Sequence, residues 1–191
     1  MKEYGDERFM YVLKNRQVLS QNKDIRQGPV FVDEEPIQFI EREIIKDRFW
    51  MWLPEEFALM NRQQAKRKYL NEDRPETIYS NKGGDVNIAF SRRKGKLRDG
   101  EEGQIRDYTE QIIMRVYPSS HTIEKQIQQI GEKQVAWFDF VTPALDADVY
   151  NLVFFASLGK QLFMGSFNCI KCDQNIWKPL FLQMIACMRF A

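Results

Sequence analysis

Cys169-Ile170-Lys171-Cys172 is a CxxC, a spacing that serves thiol–disulfide chemistry when it opens a helix and the dipole lowers one thiol pKa. Here Cys169 falls at the end of an apolar, β-forming run and the following helix starts several residues later, so the pair reads as structural. Zinc would need a second pair of ligands, and the chain holds three cysteines and one histidine, His121. His121 follows Pro118-Ser119-Ser120 and reads as a loop or strand-edge residue, with no serine or cysteine in an elbow beside it. Gly83-Gly84 and Gly100 with Gly103 lack the Lys-Ser/Thr of a phosphate loop and read as turn glycines. The pairs Glu34-Glu35, Glu55-Glu56 and Glu101-Glu102 are adjacent rather than convergent, so they define no acid/base couple. No residue set calls for a cofactor or a metal.

Arg92, Arg93, Lys94, Lys96 and Arg98 put five cations in a short run. Such a run can grip phosphates. Asp99, Glu101 and Glu102 follow at once and offset it, so the sequence places it in a solvated loop between a strand and a helix. The functional alternative is docking onto an acidic protein surface, with nucleic acid the weaker partner.

The elements that must carry these residues are clearest at the C-terminus. Val149 to Ser157 and Gln161 to Ile170 are β-forming runs joined by Leu158-Gly159-Lys160, a hairpin turn. After them Trp177, Leu180, Phe181, Met184, Ile185 and Met188 recur at helical spacing, which predicts a helix laid across the sheet. A second hairpin is expected from His121 to Val141 around Gly131. Ile37 to Ile45 and Arg48 to Leu53 read as two strands, or as one strand broken near Lys46-Asp47, with Phe49-Trp50-Met51-Trp52 large on both faces. Pro54-Glu55-Glu56 reads as a helix start. Gln63 to Lys68 reads as a solvated helix end or linker, and Thr77 to Tyr79 and Val86 to Phe90 read as strands. A helix follows Gly100 to Gly103 with Ile105, Tyr108, Ile112 and Val116 as its apolar residues, and Pro118 stops it.

At 191 residues, 43% hydrophobic and 29% charged, the chain suits a folded domain. Residues 1–35 read as an N-terminal extension, with Phe9 to Leu13 and Gly28 to Val32 as short strands, and residues 36–191 as one domain. The net charge of +1 gives no global field toward nucleic acid or an anionic membrane. No run is apolar enough to span a bilayer, Phe9 to Leu13 is too short for a signal sequence, and the expected compartment is the cytoplasm. Strands joined by hairpins with helices between them give α+β, a three-layer α/β/α sandwich around a mainly antiparallel sheet.

These residues resemble the Mog/PsbP-like fold family, in its uncharacterised bacterial branch. The matching features are Phe49 to Pro54 running into Glu55-Glu56-Phe57, Tyr69 to Pro75, Val86-Asn87-Ile88-Ala89-Phe90-Ser91, and the helix Gln104 to Tyr117. Gly165-Ser166-Phe167-Asn168-Cys169 with Trp177-Lys178-Pro179 completes them, and the resemblance spans Ile37 to Phe190. Members of that fold include a Ran-binding nuclear transport factor, a photosystem subunit and accessory proteins. The acidic motif of the Ran-binding members has no counterpart here. The resemblance therefore implies a non-enzymatic interaction module with a protein partner, in one version attached to a secretion or toxin-immunity system. The alternatives are a carrier of a small apolar ligand, using fourteen phenylalanines and eight methionines as lining, and a CxxC redox protein.

Overall fold

The structure, a computed structural model, describes residues 24–32, 35–69 and 74–191, and of Lys94 the backbone alone. The expected strand Phe9 to Leu13 lies outside the described residues.

The C-terminal hairpins form as their turns dictate. β8 (His121–Ile130) and β9 (Lys133–Thr142) close around Gly131, and β10 (Val149–Leu158) and β11 (Gln161–Ile170) around Gly159. Gly159 and the following Lys160 both hold positive φ, +61° and +64°, the pair a tight type I′ hairpin needs. With β5 (Ala58–Leu59), β6 (Thr77–Ser80) and β7 (Asn87–Lys96) they make a seven-stranded antiparallel sheet ordered β5-β6-β7-β11-β10-β9-β8.

Period-two alternation sorts the side chains of this sheet onto two faces. Ile88, Phe90, Trp137, Leu152, Phe154, Phe163 and Phe167 share the first. It is covered by α3 (Gln174–Ala186), whose Trp177, Leu180, Phe181, Met184 and Ile185 are buried, with Met188 buried just beyond the helix end. The same face is covered by a three-stranded sheet of β3 (Phe39–Ile45), β4 (Phe49–Pro54) and β12 (Arg189–Phe190). Phe49, Met51 and Leu53 point into the core while Trp50 and Trp52 are half-buried, and Arg189 lies over the Trp50 ring. Near the N-terminal side, β1 (Val30–Val32) pairs with β2 (Glu35–Ile37), and Ile25 is fully buried in this main core.

The second face carries Phe138, Phe140, Val153 and Phe155, with α2 (Glu102–Val116) lying over β8, β9 and β10. α1 (Arg62–Lys68) covers the other end through Ala65, packed with Ile78 and Ala89 of β6 and β7. Helices thus lie on both faces of one antiparallel sheet, the expected α+β sandwich.

Two local readings are corrected. Pro54-Glu55-Glu56 opens no helix. Pro54 ends β4 opposite Phe39, Glu55 donates its N–H to the Gln38 carbonyl at 2.8 Å, and the chain turns to bury Phe57 against Trp177. The helix begins instead after Asn61, whose side chain accepts from the N–H groups of Gln63 and Gln64 while the Gln64 side chain accepts from Asn61 N–H. That capping box was present in the sequence as Asn61-x-x-Gln64. In α2, Ile105, Ile113 and Met114 pack inward, whereas Tyr108, Ile112 and Val116 are exposed by 64%, 41% and 61%. Helical periodicity shows that a helix has an apolar flank, but not which flank the tertiary structure covers.

Candidate functional site

The basic run is not a loop. Arg92, Arg93, Lys94 and Lys96 belong to β7, which runs to Lys96 and pairs with β11 through an irregularity between Gln161 and Leu162; only Arg98 follows the strand. Alternation places Arg92 on the face of Phe90 and Arg93 on the face of Ser91, so the cations do not form one patch.

Arg92 instead joins a pocket of about 420 Å³ that the sequence did not announce. Its wall is the β3–β4 turn with Lys46 and Arg48, and its far side is Glu76 and Thr77 at the start of β6. Phe90, Leu158 and Phe163 supply an apolar floor, exposed by 2%, 6% and 1%. Arg92 Nε donates to Glu76 Oε2 at 3.1 Å, a partly exposed ion pair. Arg48 is held against the β10–β11 turn, where a Cβ on Gly159 would lie 3.2 Å from its Nη1. Four segments distant in sequence converge here, which is why no motif marked the site.

The CxxC is divided by its elements. Cys169 is the next-to-last residue of β11 and is 1% exposed; burial, then the charge of Asp173, pushes its thiol up to about 12. Cys172 sits in the 3-10 turn Lys171–Asp173, exposed, and its hydrogen bond to Asp173 raises its pKa too. Both shifts run opposite to the one that activates a thiol. His121 opens β8, exposed and opposite Val141. The aromatic side chains between sheet and α3 stack on one another: Phe167 and Phe181 centroids are 4.7 Å apart, Trp177 and Phe181 5.7 Å.

The second sheet face holds a feature of another kind. β11 runs between the strands covered by α2 and those covered by α1. Its Leu162, Met164 and Ser166 are only half-buried, and Met164 stands in register between Phe155 and Ser91. Ser91 is 4% exposed, yet its Oγ has no hydrogen-bond partner among the described residues. The β8-side flank of α2 is polar: Arg106 donates to the Gln126 carbonyl, and Asp107 and Glu110 pair with Lys125. The flank turned away from β8 carries Tyr108, Ile112 and Val116. Leu162 and Met164 of β11 pack, half-buried, against the same Phe138, Phe140, Val153 and Phe155 cluster that Ile105, Ile113 and Met114 of α2 cover.

The architecture is that of the PsbP-like α+β sandwich. The structure is similar to cyanobacterial PsbP (CyanoP) from Synechocystis, with a TM-score of 0.61 at 8% identity, covering 84% of this chain and 97% of that one. It is also similar to LpqN of Mycobacterium tuberculosis, described as involved in cell envelope biogenesis, with a TM-score of 0.52 at 9% identity, covering 90% and 99%. No family model and no curated protein matches the sequence. At such identities the likeness is one of fold. Among the described residues no helix is long and apolar enough to cross a membrane.

Proposed function

We propose that this protein is a non-enzymatic accessory module of a bacterial cell that holds a protein partner on the open part of its sheet. The observation that carries this is the apolar surface left open on the α2 side of the sheet: Leu162 and Met164 of β11 are half-buried, and Tyr108, Ile112 and Val116 of α2 are exposed. Contiguous exposed apolar surface on a soluble domain marks an interaction site. Its shape suits an apolar helix, because a helix laid on β11 between α1 and α2 would complete the helical layer on that face.

The three thiols, none in a disulfide, fit a reducing compartment, and the cytoplasm is the compartment proposed. A place beside a secretion or toxin-immunity system belongs to the same proposal and rests on analogy of fold.

The test is co-purification from the native host with the tagged full chain. One stoichiometric protein that survives high salt is expected, since apolar contacts are not screened. Ile112→Asp and Met164→Lys, with unchanged melting temperature, should each release it. A partner kept by both variants, or none recovered with the wild type, would remove this surface from consideration.

A further inference from the structure

On the opposite face of the sheet, the geometry points to the pocket at Lys46, Arg48 and Arg92 as a binding site for a small organic dianion, specifically a phosphate monoester with an apolar body. Three cations face one carboxylate, Glu76, so the site carries two positive charges in excess. Glu76 pairs with Arg92, and among the described residues Lys46 and Arg48 make no ion pair. A phosphate monoester is a dianion at neutral pH, because its second pKa is about 6. It therefore matches the excess.

The Glu76 carboxylate already shows that Arg92 presents its guanidinium to an oxyanion within this pocket, at 3.1 Å. Arginine forks suit phosphate oxygens, and lysine adds a mobile point charge. Beneath the cations lie Phe90 and Phe163, which stack at 6.0 Å with an interplanar angle of 7°. That pair is nearly fully buried and shapes the pocket base, and an aryl or alkyl group attached to the phosphate would lie against the half-buried Ile44 and Ile45 of the wall. The volume of about 420 Å³ falls within the roughly 300–1,000 Å³ of small-molecule sites, so the ligand is metabolite-sized rather than a polymer. Turn geometry fixes the backbone that carries Lys46 and Arg48. Asp47 takes φ +56° at the tip of the β3–β4 turn, Arg48 N–H donates to the Ile45 carbonyl at 3.0 Å, and Ala191 N–H caps the Arg48 carbonyl at 3.1 Å. Ala191, just beyond β12, thereby steadies one wall of the pocket.

Titration of the full chain with phenyl phosphate, followed by backbone amide NMR, tests the site, with inorganic phosphate as the second arm. Saturable shifts are expected at Ile45 to Arg48, Phe90 to Arg92 and Leu158 to Gln161. Phenyl phosphate should bind more tightly than inorganic phosphate, and Arg48→Gln and Arg92→Gln should each weaken it at least about tenfold. Lys46→Gln serves if either arginine variant loses its fold. Shifts that do not saturate, affinity unchanged in the arginine variants, or equal affinity for the two phosphates would each overturn the assignment.

Discussion

Lys178 Nζ of α3 lies 2.7 Å from Asp139 Oδ2 in β9, a carboxylate with no solvent exposure at all. The Asp139 oxygens are otherwise fully engaged. Oδ1 accepts the Glu124 N–H at 2.7 Å, where the β8–β9 register is irregular, and Oδ2 accepts the Tyr150 hydroxyl at 2.8 Å. Lys178 also reaches Glu124 at 2.9 Å. A buried charge of this kind adds little net stability over an apolar substitute, but removing one partner strands the other. The pair thus ties α3, already seated by Trp177, Phe181 and Ile185, to β9 beneath it.

Lys178→Met is therefore expected to cost about 3–5 kcal/mol, by leaving Asp139 uncompensated. Urea unfolding of the two proteins measures it, and equal midpoints would show the pair to be idle.

The same network makes stability fall in alkali. Burial alone would lower the Lys178 pKa, but its hydrogen bonds to Asp139 and Glu124 outweigh that and raise it. Burial, then the charge of Asp139, raises Tyr150 well above the usual phenol range. Both groups keep their protons in the fold to higher pH than in the unfolded chain. Their contribution is full below about pH 10 and is lost as pH rises through the folded values. Melting temperature measured from pH 8 to 11 should drop above about pH 10, and Lys178→Met should drop less steeply, with Tyr150 supplying the remainder. Parallel curves would exclude Lys178 from the effect.

Gly165→Ala tests the middle of the sheet. Gly165 pairs with Phe154 on one side and Phe90 on the other, and the Phe154 ring lies across the place its Cβ would occupy. The ring also packs against Phe163 and Phe167, so it has little room to move. Overpacking of this sort costs about 1–3 kcal/mol. In a chain of this length that lowers the melting temperature by about 2–4 °C for each kcal/mol. An unchanged melting curve would mean that the ring rotates away freely.

Thiol labelling separates the members of the CxxC. At neutral pH an aromatic disulfide reagent should modify Cys172 in the native state, slowly because its pKa is raised, and reach Cys169 only on unfolding. Native labelling of Cys169 as fast as Cys172 would contradict the buried strand end.

Much of the fold was written locally. The hairpins at Gly131 and Gly159 and the stripe from Trp177 to Ile185 depend on turn glycines and residue periodicity, which act over a few neighbours and can be read from order alone. The same holds for the sandwich class. What the tertiary structure decided is where those elements meet. β3 and β4 read as strands, but only packing made them a separate sheet with β12. Tyr108, Ile112 and Val116 have the period of a core face, and became an exposed flank because Ile105, Ile113 and Met114 met the sheet first. Arg92 looked like one of five solvated cations until the β3–β4 turn brought Lys46 and Arg48 to it. Periodicity specifies a side chain's direction within its own element, whereas a pocket is made by contacts between elements far apart in the chain.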